Sequence, residues 1–294
     1  MTDARELTLS LKGRWYGEYG AAPCPVCQPA SRRTQNALTL ADGKNALLLH
    51  CKRSGCDFRD ILAAASLGSG DYCAPDPALT AKRKVKAKAD ALRKHEAAKR
   101  LWQECQPITG TIAETYLRSR MIDCALPDTL RFHSRCWHGP SKSRWPAMVA
   151  LVEGGQGFAV HRTYLCPDGS GKARLAGGDK LMLGATSGGA VRLSEEPSRL
   201  AVAEGIESGL SLLCGLLGSP ASVWASLSTS GMRSLRLPVS TDHLIIAGDG
   251  DVPGREAGYS LARRASERGW QVSTLNPGDG ADFNDILARQ AVAA

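Results

Sequence analysis

Hydrophobic and polar positions change register along the chain, and each register predicts an element. Leu200 to Ala203 and Leu244 to Ala247 are short continuous apolar runs, as expected of strands covered on both faces. Each run ends abruptly in acid, at Glu204 and at Asp249-Gly-Asp251. Apolar residues then recur at helical spacing: Ile206, Leu210 and Leu213 after the first run, Ala257, Leu261 and Ala265 after the second. Strand then helix, repeated, predicts a parallel sheet of α/β type. Further upstream, Ala37-Leu-Thr-Leu40 and Ala46-Leu-Leu-Leu-His50 flank Asp42-Gly43 and predict a hairpin. Ile112 to Met121 predicts a helix with Ile112, Tyr116 and Leu117 on one face. Trp145 to Val152 and Gly157 to Leu165 predict two strands around the turn Glu153-Gly-Gly-Gln156.

Between these blocks, Asp71 to Pro77 is polar and interrupted by two prolines, which predicts a boundary. Lys82 to Arg100 follows, rich in alanine and long charged side chains. It favours helix but has few large apolar residues before Leu101 and Trp102. It reads either as a solvated connector or as a surface that tracks phosphates. Four segments result: 1–72, a linker 73–100, an α+β block 101–195, and the α/β segment 196–294.

Charge sharpens this division. The net charge is +8, and residues 73–100 carry nine Lys/Arg against three Asp/Glu, whereas 196–294 carry eight against eleven. The basic excess precedes the acidic segment, an arrangement suited to a polyanion held by one part while chemistry occurs in another. No run of about 18 apolar residues appears, so no membrane span is expected. The N-terminus lacks the pattern of a signal peptide, and ten cysteines in such a chain predict a reducing, cytoplasmic setting.

Four of those cysteines are paired: Cys24-Pro-Val-Cys27 and Cys51-Lys-Arg-Ser-Gly-Cys56. Two pairs on turns, flanking a hairpin, have the spacing of a four-cysteine zinc ribbon, whose closed shell makes the zinc structural. Arg14, Trp15, Tyr16, Arg32, Arg33, Lys52 and Arg53 are candidates for a nucleic-acid surface around it. Trp15 and Tyr16 could equally serve as core. Cys73, Cys105, Cys124, Cys136, Cys166 and Cys214 show no pair spacing and are expected to pack or stay idle.

The acids at the strand ends predict a second metal site. Ligands of such sheets bind beyond the carboxyl ends of the strands, so Glu204, Asp249 and Asp251 should converge there. Hard divalent cations take carboxylate oxygens together with phosphate and water. Gly169-Ser-Gly-Lys172 is not a phosphate loop, because Cys166 stands where the first glycine belongs and Ala173 where a Ser/Thr belongs.

Glu204-Gly205 after one strand, Asp249-x-Asp251 after another and a trailing Asp282-Phe-Asn-Asp285 resemble the Toprim domain of bacterial-type primases, topoisomerases and certain nucleases. The resemblance implies magnesium- or manganese-dependent phosphoryl chemistry on nucleic acid. By position Glu204 matches that family's glutamate, Asp249 and Asp251 its metal pair, and Asp282 its third acidic patch. Bacterial primases place an acid four residues after the glutamate, where this chain has Ser208 and its neighbour Glu207 is the acid. Tyr116 to Arg120 resembles the start of a primase polymerase core, and His161-Arg-Thr-Tyr164 with Lys172 and Arg174 resembles its matching segment. The resemblance then implies that Arg118, Arg120, Arg162, Lys172, Arg174 and Lys180 hold template or incoming triphosphate.

The implied activity is that of a DNA-dependent RNA primase of a phage or mobile element. Its partners would be a single-stranded DNA template, nucleoside triphosphates and a replicative helicase. A Toprim-type nuclease and a non-catalytic, zinc-dependent DNA-binding replication factor are the alternatives. A topoisomerase would need a tyrosine nucleophile in a DNA-gate domain, for which the chain has no stretch.

Overall fold

The computed structural model describes residues 2–29, 36–44, 46–68, 70–239 and 243–293. By its contacts the chain divides into two compact units, 1–90 and 91–294.

The first unit is a four-stranded antiparallel sheet covered by helix α1, Ala4–Ser10. Its strands are β1 (Arg14–Trp15), β2 (Tyr19–Ala22), β3 (Leu38–Asp42) and β4 (Leu47–Cys51), in that spatial order. The predicted hairpin is β3–β4, with Leu40 facing Leu49. Alternation along the strands decides the two faces. Ala22, Leu38, Leu40 and Leu47 turn inward onto Leu7, together with Ile61 and Leu62 of α2 (Phe58–Ala64). Asp3 and Asp57 cap the two short helices, each accepting a bond from a first-turn N–H.

Helix α3, Pro77–Glu104, spans the basic linker and divides between the units. Near its start Arg83 pairs with Asp3 at 3.1 Å, and Val85 and, further along, Leu92 stay exposed. Its second half buries Ala98 and packs Leu101 and Trp102. So 28 residues with little apolar content hold a helix because packing secures the end that has something to bury.

The second unit contains two five-stranded sheets. The first is wholly antiparallel: β5 (Gln106–Pro107), β6 (Leu130–His138), β7 (Ser143–Val152), β8 (Ala159–Tyr164) and β9 (Lys180–Gly184), with α4 (Ile112–Ser119) on one face. One face of β7 and β8 meets α3 through Val149, Val160 and Tyr164. The other, through Met148, Ala150 and Ala159, faces α4 and the second sheet.

The second sheet has strand order β10-β12-β11-β13-β14. These are β10 (Val191–Ser194), β11 (Arg199–Ala203), β12 (Ser222–Ala225), β13 (His243–Ala247) and β14 (Gln271–Thr274). All pairs but β10–β12 are parallel. Helices α5 (Ile206–Ser211), α6 (Thr229–Ser234), α7 (Val252–Ser266) and α8 (Phe283–Ala293) complete the layers, and α5 runs into Leu212–Leu216, where Cys214 and Gly215 leave helical geometry. Ala257, Leu261 and Ala265, the predicted stripe, are fully buried against β11 and β13. A single core joins both sheets, from Ile108 and Tyr116 through Met148 to Leu210 and Phe283. Asn284 fixes the C-terminal helix to it, donating to the Arg120 carbonyl at 2.9 Å and the Ser211 hydroxyl at 3.0 Å.

Candidate metal and phosphate sites

Parallel register makes the acidic rim. Ala203 of β11 lies beside Ala247 of β13, so Glu204 and Asp249 leave the same sheet edge from neighbouring strands. Asp251 caps α7, accepting from the Gly254 N–H at 2.7 Å. Gly250 permits the third acid to arrive. A side chain there would collide with the Gly278 carbonyl, and the bare backbone instead bonds to Ala281 at 2.9 Å and accepts from Gly280 at 3.1 Å. The loop carrying Asp282 is thereby joined to the loop carrying Asp249, and Asp282 and Asp285 bond to each other's backbone N–H.

These acids are electrostatically unbalanced. Burial, then the charges of Asp249 and Asp251, push the Glu204 carboxyl up to about 7. Burial, then Asp282 and Asp251, push Asp249 up to about 6. The Glu204 Oε2 is buried with no hydrogen-bond partner. Carboxylates that raise one another's pKa and leave an oxygen unsatisfied are a donor set that fits a hard divalent cation.

Beside the rim the charges are balanced. Glu207, three residues after Glu204 and 4 % exposed, receives the Tyr116 hydroxyl at 2.8 Å, the Lys172 ammonium at 3.1 Å and the Lys180 ammonium at 3.4 Å. Burial alone would raise its carboxyl, but Lys180, Lys172 and Tyr116 hold it far below the usual carboxylate range. Tyr116 is correspondingly raised, by burial and by the Glu207 charge. Next to this pair of lysines lies a cavity of about 330 Å³, lined by Tyr116, Arg120, Ser170, Lys172, Arg174 and Asp179 among others. Three basic residues singled out in the sequence, Arg120, Lys172 and Arg174, thus line it, and Lys180 stands beside it across Glu207.

Arg118 and Arg162 do not join them. Arg118 pairs with Glu114 at 2.8 Å and donates to the carbonyls of Ile122 and Cys124, closing the turn after α4. Arg162 points to the opposite face of β8, where it is buried and donates to the carbonyls of Trp137 and Met182. Strand alternation places its neighbour His161 on the side of the lysines instead. His161 is buried, its Nδ1 has no partner, and burial followed by the Lys180 charge lowers it to about 4. Neither His161 nor Tyr116 is marked for chemistry by the sequence, although the two-residue period of β8 carries the signal for the histidine.

In the first unit, Cys24, Cys27, Cys51 and Cys56 bring their sulfurs within 4.8 Å of one another, with Cys27 and Cys51 at 3.6 Å. A tetrahedral zinc–thiolate centre needs sulfurs about 3.8 Å apart, so the set fits zinc. Burial opposes ionisation of Cys51, but backbone N–H groups of Ser54, Cys56 and Arg53 outweigh it and lower the thiol to about 6. Burial and the neighbouring sulfurs push Cys56 up to about 12. Four thiols this close cannot all ionise without a cation between them. Among the described residues no other group of three or more His, Cys, Asp or Glu draws its ligand atoms so close.

Around the zinc set, Trp15 turns toward the core and donates to the Gly17 carbonyl at 2.9 Å. Tyr16 and Tyr19 are exposed and stacked at 5.3 Å, with the Arg14 guanidinium 5.5 Å from the Tyr16 ring. Tyr19 escapes the sequence reading because its pairing with Tyr16 depends on the β1–β2 hairpin. Lys52 and Arg53 are exposed on the turn between the second cysteine pair, and Arg32 and Arg33 lie outside the described residues. His138 is held by Ser141 and the Gly178 carbonyl, and His133 lies 3.5 Å from Glu104.

The acidic rim lies within a segment that matches a known family. Residues 199–293 match the Toprim domain family, and residues 92–193 match a domain of unknown function, DUF7146. The C-terminal region of the chain is a Toprim domain. Among solved structures, a DNA primase domain from Pseudomonas aeruginosa is similar at 14 % identity and a TM-score of 0.42, over 67 % of this chain and 75 % of that one. The zinc-binding and RNA polymerase domains of the Aquifex aeolicus primase are similar at 12 % identity and a TM-score of 0.41, over 98 % of this chain and 83 % of that one. No curated protein matches the chain. Among the described residues no helix is long and apolar enough to cross a membrane.

Proposed function

We propose that the chain is a DNA-dependent RNA primase, making short primers on single-stranded DNA during replication of a phage or mobile element. One observation carries this reading: a carboxylate rim whose members raise one another, only partly offset by Lys180, shares a unit with a lysine- and arginine-lined cavity. Magnesium or manganese held by Glu204, Asp249 and Asp251, with Asp282 behind them, would offset charge on the attacking and leaving oxygens. The chain's own groups do the rest. Lys172, Lys180, Arg120 and Arg174 bind and orient the triphosphate, whose charge exceeds what one or two cations cancel. Glu204 either completes the metal set or takes a proton from the attacking hydroxyl. In the zinc-held first unit, bases of the template stack on Tyr16 and Tyr19 while Arg14, Lys52 and Arg53 meet phosphates.

The test is synthesis from labelled ribonucleotides on single-stranded DNA, with magnesium or manganese and with chelator. Short RNA should appear only with metal, and Asp249→Asn should abolish it. Absence of product across varied templates and both metals defeats the proposal. Cleavage of DNA without added nucleotides would select the nuclease reading.

A further inference from the structure

Glu207 invites a question that the rim does not answer. It is a carboxylate placed inside a site meant for anions. The two lysines next to the phosphate cavity already have an anionic partner, 3.1 and 3.4 Å away. That partner is 4 % exposed, and it is further fixed by a tyrosine from α4, 91 positions earlier in the chain. The lysines are partly open, with side chains 28 % and 38 % exposed. Ser208, the next residue on α5, points elsewhere, its hydroxyl 3.5 Å from Asp249. Adjacent helical positions differ by about 100°, so one acid position serves the lysines and the other faces the rim.

Two ammoniums this close repel, and long lysine stems have several rotamers through which to separate. A buried carboxylate between them cancels the repulsion and fixes where both point. Its own freedom is removed by the Tyr116 hydroxyl. It also competes for the same charge that a polyphosphate would seek.

The geometry points to Glu207 as a positioning residue that holds Lys172 at the cavity wall and Lys180 beside it while lowering polyphosphate affinity. This rests on the primase reading for the identity of the reaction, but not for the binding chemistry. Removing the charge leaves two stronger but less ordered cations. Ground-state affinity then rises while the reacting geometry suffers.

The test uses the full zinc-bound chain and inorganic tripolyphosphate without divalent metal, followed by calorimetry. Glu207→Gln should bind it about three- to tenfold more tightly than wild type, an electrostatic gain of roughly one charge at a partly open site. In the primer assay the same variant should lose about tenfold or more in kcat with no rise in KM for nucleotide. Tyr116→Phe keeps the charge and loosens the carboxylate. It should leave tripolyphosphate affinity within about twofold and lower kcat about threefold. Glu207→Asp should return the affinity toward wild type. Equal or weaker tripolyphosphate binding by a folded Glu207→Gln overturns the inference, as does a raised KM with unchanged kcat. Should Glu207→Gln fail to fold, Tyr116→Phe decides: an unchanged kcat overturns the inference. If no variant or wild type makes primer, the primase reading falls, and the tripolyphosphate comparison still decides the role of Glu207.

Discussion

The cysteine cluster and the Toprim rim are both sets of groups that repel when ionised, yet they are built differently. In the ribbon, four sulfurs lie within 4.8 Å of one another and offer a closed, soft shell. At the rim, hard oxygens come from three loops, and their ligand atoms are spread more widely than the sulfurs. A cation held by the first arrangement would help to fold a small unit. One held by the second would keep room for phosphate oxygens and water in its coordination shell. Closure of the donor set, more than its charge, therefore separates a structural site from a chemical one.

The sharpest way to break the comparison is to open the closed set. Cys51→Ser should abolish stoichiometric zinc and unfold the first unit, because structural zinc contributes on the order of 10 kcal/mol to such modules. Metal analysis and amide exchange would show the loss. Retention of a folded ribbon would mean that its core alone suffices.

Opening the rim should cost less. Gly250→Ala forces a methyl group into the Gly278 carbonyl and separates the Asp249 and Asp282 loops. Chemical denaturation should register about 2–3 kcal/mol of lost stability, with weakened divalent-cation binding.

The pH response is smaller. Glu204 is raised to about 7 and Asp249 to about 6, each above its unfolded value. Their contribution is fully present below the unfolded pKa and is lost as pH rises through 6 to 7. Without added divalent cation, melting temperature should fall over that window. Glu204→Gln should remove part of the fall, raising Tm by a few degrees at pH 8 and hardly at pH 4.5. That corresponds to about 1 kcal/mol after screening at a partly buried site. A flat wild-type profile would show that the rim carries no strain.

Smallest in stability, and confined to the ribbon's surface, is Tyr19→Ala. Its ring is exposed, so melting should move by less than about 0.5 kcal/mol. Affinity for single-stranded DNA should drop several-fold if each stacked base is worth about 1–3 kcal/mol. Unchanged binding by fluorescence anisotropy would remove the stack from the interface.

What the chain announced in its sequence was whatever local order encodes. Apolar runs that stop at Glu204 and Asp249 can only be strand ends, and two cysteine pairs around a hairpin can hardly be placed otherwise. What stayed hidden depends on which side of an element faces which neighbour. Arg162 and His161 exchange roles because a strand turns alternate residues to opposite faces. Tyr19 meets Tyr16 only because β1 and β2 form a hairpin. The bond from Tyr116 to Glu207 joins positions 91 apart, and no local pattern in either helix requires it.

Asn284 carries one more consequence. Its amide ties the last helix both to the end of α4 and to α5, beneath a core that both sheets share. A cut between residues 195 and 196 would consequently not liberate two independent pieces. It would leave each half with a raw apolar flank, and excised fragments should aggregate unless residues 91–294 are kept together.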